Sequence, residues 1–188
     1  MEKNKIRCNW CTEDEVYKKY HDEEWGREIH DDRHFFEMII LEGAQAGLSW
    51  ITILKRREGY KKAFDNFDVE KVANYNQEKI DKLIQNSEII RNKLKINSAI
   101  KNAKIFIKIQ KEFGSFDTYI WRFVDNKIKI GIYDNWKDAP TTNDLSDKVS
   151  KDLKKRGMSF VGSTIMYSYL EACGIMCNHT TNCFLYKK

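Results

Sequence analysis

The sequence predicts an all-α protein, and three observations carry that prediction. Only one Pro and nine Gly punctuate 188 residues, too few for the turns of a sandwich or barrel. Apolar residues recur at three- and four-residue spacing through most of the chain. Ser, Thr, Asp and Asn stand where helices would begin, and Gly stands where several would end.

Taken in order, Thr12 to Tyr20 reads as a short helix, with Thr12 as its cap and Glu15 as the capping-box partner. Asp31 or Asp32 opens a second helix that runs to about Ala46. Its apolar residues lie almost all round the helix, which places it at the centre of the core. Gly47 closes it, and Ser49 caps the next helix, Trp50 to Phe64. Asp68 caps a short helix, and Asn76 to Gln85 carries another. Ile80, Leu83 and Ile84 precede a polar break at Gln85 to Glu88, and Ile89, Ile90, Leu94, Ile96, Ile100, Ala103 and Ile107 follow it. That spacing predicts a helix, a tight turn and a second helix. A further helix runs from Ser115-Phe116 through Phe123-Val124. Lys127 to Tyr133 alternates, as a short strand or extended loop would. Ser146 to Lys155 and Thr164 to Ala172 are the last helices, with Gly157 and Gly174 as stops.

The length suits one domain, or one domain with a small appended lobe. With 41% apolar and 32% charged residues, the chain has the composition of a soluble folded protein rather than a disordered one. Met1 to Arg7 is charged and does not resemble a signal peptide. The most apolar stretch, Phe35 to Leu54, is interrupted by Glu37 and Glu42, and the uncharged remainder, Gly43 to Leu54, is too short to span a bilayer. These features predict a cytoplasmic protein with no membrane partner, whose five cysteines do not form disulfides. The net charge of +5 conceals a polarity: Glu13 to Glu37 holds ten acidic and four basic residues, whereas Arg91 to Lys111 holds seven basic residues and no acid. Lys151, Lys154, Lys155 and Arg156 form a second cluster. Segregated positive charge is either a polyanion footprint or a solvated helix face.

Thiols and imidazoles gather at the two chain ends. Cys8 and His21 lie near the start, and His179 and Cys183, four residues apart, lie near the finish. Such ligands suit a tetrahedral zinc that would tie the two termini together. Spacing alone leaves the ligand set open, because Cys11, Cys173 and Cys177 are also available. A second anomaly is Glu42, a carboxylate inside an apolar run, which is costly to bury unless paired or used. Tyr20, Trp25 and Trp50 lie near it in sequence. Each aromatic alone reads as core; together with a buried acid they can line a flat pocket for a base.

Several motifs appear in order: Cys8-Asn-Trp10; Tyr20-His21-Asp-x-x-Trp25-Gly26; Leu41-Glu42-x-x-Gln45-Ala-Gly-Leu-Ser-Trp50; Ile89-Ile90-Arg91 with Lys95-Ile96; Lys154-Lys-Arg-Gly157-x-x-Phe160-Val-Gly162; and the tail Cys173-Gly174-Ile, His179 and Cys183. In this set the chain, over about residues 6 to 184, resembles the DNA-3-methyladenine glycosylase I family of bacterial base-excision enzymes. The resemblance implies a helix-hairpin-helix glycosylase fold, a single unit over residues 1–188 with the hairpin at about 78–104. It implies one structural zinc held by Cys8, His21, His179 and Cys183, from segments 8–21 and 179–183, with Cys11, Cys173 and Cys177 as bystanders. Glu42 would be the catalytic residue, and Tyr20, Trp50, Trp10 and Trp25 the base-binding ones. Ser87, Arg91, Lys93 and Lys95 would contact DNA.

The resemblance also implies an activity: a monomer acting on alkylated double-stranded DNA, hydrolysing the glycosidic bond of 3-methyladenine to free base and an abasic site. The base would be flipped out and stacked between Trp50 and Tyr20. Related enzymes carry an Asp a short way past the hairpin. Its absence between Arg91 and Lys111 fits a substrate whose bond methylation has already weakened. One departure stands out. Such hairpins often turn on Gly, and this one reads Asn86-Ser87-Glu88, with Asn left to supply the left-handed residue and Glu88 adding a negative charge.

Overall fold

The computed structural model describes residues 5–187. It contains ten α-helices among those residues, most of them opened by an Asp, Asn or Ser side chain at the cap. Helix α1 (Glu15–Glu23) is capped by Asp14, which accepts from the Val16 N–H at 2.9 Å. Thr12 instead accepts from the Asp14 N–H, one step upstream. An anion at the positive end of the helix is the stronger cap. Asp31 caps α2 (Asp32–Gln45), accepting from the N–H groups of Arg33 and His34. Gly47, at φ +79°, follows it.

The predicted helix Trp50 to Phe64 is two helices, α3 (Trp50–Leu54) and α4 (Arg57–Ala63). The break redirects the chain so that Arg57 meets Glu24 at 2.5 Å and Glu37 at 2.7 Å. Ser49 stands at the start of α3, but its hydroxyl bonds Thr52 rather than the backbone. Asp68 caps α5 (Val69–Ala73) and Asn76 caps α6 (Gln77–Gln85). Asn92 caps the longest helix, α7 (Lys93–Phe113), and Ser115 caps α8 (Phe116–Trp121), which a 3-10 turn extends to Val124. Asn143 and Ser146 form a capping box on α9 (Asp144–Arg156), and α10 (Ser163–Ala172) completes the set.

Helix α2 lies at the centre, as its all-round apolar pattern requires. Phe35, Phe36, Met38, Ile39 and Leu41 are all buried there, and the helix packs against α7, α8 and α10. Phe36 meets Phe106 edge-on at 5.3 Å, and Phe106 stacks on Phe116 at 4.1 Å. Burying an aromatic side chain stabilises by roughly 1.5–3 kcal/mol, so this cluster fixes α2 in place. A smaller cluster of Cys8, Tyr20, Trp25, Leu54 and Cys183, flanked by Trp10, Tyr17 and Trp50, joins the chain ends.

One element departs from the all-α expectation. Lys129–Ile130 (β1) and Met176–Cys177 (β2) form a parallel pair, with Lys129 opposite Met176. Strands this short have no period to read. Just before β2 the chain turns at Gly174, φ +66°, where a Cβ would stand 1.9 Å from the Arg27 carbonyl oxygen. Only Gly fits there, and the turn carries the tail back beneath the N-terminal arm.

The predicted helix–turn–helix is present as α6, residues 86–92 and α7. Asn86 is not left-handed: its φ is −75°, and no residue of the turn has positive φ. Its Oδ1 accepts from the Glu88 N–H at 2.9 Å, so a side-chain turn replaces the glycine. The turn is braced on α4. A Cβ at Gly59 would lie 2.6 Å from both the Glu88 Cβ and its carbonyl oxygen, and the Ile90 N–H donates to the Tyr60 hydroxyl. No described helix is long and apolar enough to cross a membrane.

Candidate functional site

Cys8, His21, His179 and Cys183 converge, all buried, with their donor atoms within 4.8 Å of one another. Cys8 Sγ to His179 Nδ1, Cys183 Sγ to His179 Nδ1 and Cys183 Sγ to His21 Nε2 are each 3.5 Å. A tetrahedral ion bound at about 2.3 Å to sulfur and about 2.0 Å to nitrogen has sulfur–nitrogen edges of about 3.5 Å. The cluster therefore has the size of a filled S2N2 metal site.

The second sphere points the same way. The outer nitrogen of His21, Nδ1, bonds Asp22 at 2.9 Å, and that of His179, Nε2, bonds the Trp25 carbonyl at 3.2 Å. Each imidazole thus places an N–H outward and a lone pair inward, the arrangement a metal ligand needs. Arg7 grips Asp22 with two bonds of 2.8 and 2.7 Å, which lowers the Asp22 carboxyl to about 2. Backbone N–H groups of Thr180 and Leu185 donate to Cys8 and Cys183 sulfurs. The thiol of Cys183 donates to Cys8, which holds the Cys8 thiol well below the usual range and raises that of Cys183. A divalent ion would replace that shared proton. Cys11, Cys173 and Cys177 stand outside the cluster.

Against this cluster lies a cavity of about 330 Å³, a volume suited to a small flat ligand. Trp10, Tyr20, Trp25 and Trp50 line it, together with Glu42 from α2. These are the five pocket residues expected from the sequence. Tyr17, Gln45, Trp136, Ser168, Glu171 and Asn178 also line it and were not anticipated. Glu171 carried the same signal as Glu42, a single acid within the apolar run Ile165 to Cys177.

The aromatic walls meet at angles. Tyr20 and Trp50 have centroids 5.5 Å apart at 58°, and Trp10 and Trp25 meet edge-on at 5.0 Å. At 5.5 Å two rings are already in contact, so no base fits between Tyr20 and Trp50. They form a corner on which a base can stack with one face, which corrects the sandwich expected from the sequence.

Three buried polar atoms of the pocket have no partner: Glu42 Oε2, Trp10 Nε1 and Trp50 Nε1. Among the described residues only His34 Nε2 joins them, from outside the pocket. A native core leaves such groups unpaired rarely, because each costs about 1–3 kcal/mol. Among the described residues no lysine or arginine pairs with Glu42; Glu37, earlier in α2, is the acid that meets Arg57. Burial, and then the charge of Glu171, push the Glu42 carboxyl well above the usual carboxylate range. Burial likewise raises Glu171 to about 8.

The basic residues of the hairpin divide. Ser87, Arg91 and Lys93 are exposed. Lys95 is turned inward, its ammonium donating to the Ala44 and Ala46 carbonyls at 2.8 and 2.7 Å. It ties the carboxyl end of α2 to the start of α7. Arg56 meets the Ser87 carbonyl at 2.6 Å. Along α7, Lys101, Lys104, Lys108 and Lys111 occupy the exposed face, whereas Arg156 of the second cluster is paired with Asp152 and Glu112.

Known proteins are similar to this chain over nearly its whole length. A protein family described as methyladenine glycosylase matches residues 10–186. DNA-3-methyladenine glycosylase 1 of Escherichia coli is 43% identical over 180 residues, covering 96% of both chains. A crystal structure of 3-methyladenine DNA glycosylase I (TAG) superposes with a TM-score of 0.94 at 44% identity, over 97% of this chain and 100% of that one. The Staphylococcus aureus glycosylase whose structure addresses 3-methyladenine recognition superposes with a TM-score of 0.93 at 37% identity, over 97% of each chain.

Proposed function

The chain belongs to the methyladenine glycosylase family, and from that premise we propose how its own residues perform base excision. The enzyme hydrolyses the N-glycosidic bond of 3-methyladenine in alkylated duplex DNA, releasing free base and leaving an abasic site. The observation that carries the assignment of roles is the set of unpaired polar atoms, Glu42 Oε2 and two indole N–H groups, in an aromatic cavity.

DNA is held at the turn before α7. The exposed Ser87, Arg91 and Lys93 lie on phosphates, together with the first N–H groups of α7, as in a helix-hairpin-helix. Lys95 holds the loop after α2 against the hairpin, and that loop presents Leu48 at 40% exposure. Leu48 fills the gap left when the nucleotide flips; Ile51, half-buried, is less available.

The flipped base stacks in the Tyr20–Trp50 corner, a contact worth roughly 1–3 kcal/mol, with Trp10 and Trp25 closing the far wall. Glu42 accepts a hydrogen bond from the exocyclic amino group. Methylation at N3 makes the nucleobase a cation, and a cation in this desolvated pocket draws Glu42 into its ionised form. Neutral adenine offers no such compensation. The cation is also a good leaving group, so departure of the base needs no strong acid, and water attacks the sugar. No lysine acts as a nucleophile, so the strand stays intact.

One zinc ion at Cys8, His21, His179 and Cys183 fits the donor set and its edges. Four protein ligands close it to substrate, and it serves as a structural staple. The protein acts as a cytoplasmic monomer. Chromatography of the products from methylated duplex DNA tests the reading: free 3-methyladenine with intact strands is expected, and release of no base would refute it.

A further inference from the structure

Glu171, which has no part in the reaction as derived so far, shares the pocket with Glu42. We propose that Glu171 is a second charge-reading residue of the base pocket, and that the two carboxylates together select a cationic purine over a neutral one. This inference rests on the base-excision reading and deepens it.

The side chain is built into the wall. Its Oε1 accepts from the Asn178 amide at 2.7 Å, and the same amide nitrogen donates to the Tyr167 hydroxyl at 2.9 Å. Its backbone carbonyl accepts from the N–H groups of Gly26 at 3.0 Å and Gly174 at 3.1 Å. Asn178 immediately precedes His179, so the terminal cluster anchors the group that orients the carboxylate. Glu171 is thus held from both chain ends, although it takes part in no ion pair among the described residues.

Two acids face one aromatic cavity with no basic partner among the described residues, so their ionised forms become favourable only when a cation joins them. Elsewhere the protein pairs its half-buried acids: Glu24 and Glu37 share Arg57. Two uncompensated carboxyls cost stability in a desolvated site, unless the ligand supplies the cation. An aromatic corner adds attraction for a flat cation. A neutral purine satisfies the hydrogen bonds of Glu42 and leaves the second acid unanswered. An N-methylated purine still bonded at N9 satisfies both.

The test compares two ligands by tryptophan fluorescence: 3,9-dimethyladeninium, a permanent cation, and 3-methyladenine under conditions where it is uncharged. Wild-type protein should prefer the cation. E171Q keeps an acceptor for Asn178, and should lose about tenfold in affinity for the cation while binding the neutral base within about twofold of wild type. E171D, which retains the charge, should retain the preference. Unchanged cation affinity in E171Q overturns the proposal, and so does equal loss for both ligands, which would mean a role in shape. Should E171Q fail to fold, a wild-type protein with no preference for the cation overturns it as well. Base release from methylated duplex DNA is measured in parallel. A wild-type protein that releases no 3-methyladenine overturns the base-excision reading, whereas release with an unaltered preference in E171Q overturns only the role of Glu171.

Discussion

The Cys/His cluster and the aromatic pocket are built from neighbouring residues, yet they differ in how complete their surroundings are. Tyr20 and His21 are adjacent in the chain and face opposite ways, one into the pocket and one into the cluster. Around the cluster both outer imidazole nitrogens have oxygen partners, and each ligand sulfur accepts a backbone N–H. Across the wall, a carboxylate oxygen and two indole N–H groups have none. A cluster whose outer atoms are all satisfied by the fold suits a structural role, whereas a pocket with unpaired polar atoms in its wall suits a ligand. The contrast separates stapling from recognition although the two share an aromatic wall.

The largest effect should come from breaking the staple. Cys183→Ser, or Cys8→Ser, should lose the metal and destabilise the protein by on the order of 4 kcal/mol or more, read as metal content and denaturant midpoint. Cys11→Ser, outside the cluster, should leave both unchanged. Metal lost on Cys11→Ser but kept on Cys8→Ser would break the comparison at its first term.

Breaking the pocket should do the reverse. Glu42→Gln is expected to slow release of 3-methyladenine by about a hundredfold or more, with metal content and midpoint as in wild type. Trp50→Ala should cost roughly 1–3 kcal/mol in binding the base, measured by titration with free 3-methyladenine. A smaller change is expected outside both regions. Arg91→Ala and Lys93→Ala should each reduce the slope of log affinity for DNA against log salt by about one, without changing which base is released. Lys95→Ala should act differently, because its ammonium holds the loop after α2 rather than facing solvent.

The two regions should also respond to pH with opposite sign. Asp22, beside the cluster, has its carboxyl lowered to about 2, chiefly by the hydrogen bond from Arg7. Its contribution is present above the unfolded value of about 4 and is lost as pH falls towards 2. Glu171, in the pocket, is raised to about 8 by burial. The unfolded chain ionises it first, so stability is full below the unfolded value of about 4.3 and declines as pH rises towards 8. Denaturant midpoints across pH should show Asp22→Asn flattening the acid limb and Glu171→Gln flattening the alkaline one.

Much of this was legible in the sequence, for physical reasons that also mark the limits. Helix α2 announced itself because an all-round apolar helix has nowhere to go but the core. Glu42 announced itself because a lone acid there conflicts with that burial. Glu171 sent the same signal between Ile165 and Cys177, but Ser168 and the tyrosines around it blurred the apolar context. The four clustered residues were visible as types and not as a set, since spacing along the chain cannot tell Cys8 from Cys11. Distances between elements left no trace: the contact of Tyr20 with Trp50, the inward turn of Lys95 and the two-residue strands all depend on packing. The turn at Asn86 was half legible. Asn was suited to it, but through its side-chain bond to Glu88 rather than a left-handed backbone.

The central claim is that Glu42 reads the base while the metal cluster only holds the fold. The most direct test measures free bases released from methylated duplex DNA by wild-type and Glu42→Gln protein of equal metal content. The wild type should release 3-methyladenine, without 7-methylguanine and without strand breaks, and the variant should release almost none. Release by Glu42→Gln at the wild-type rate would contradict the account.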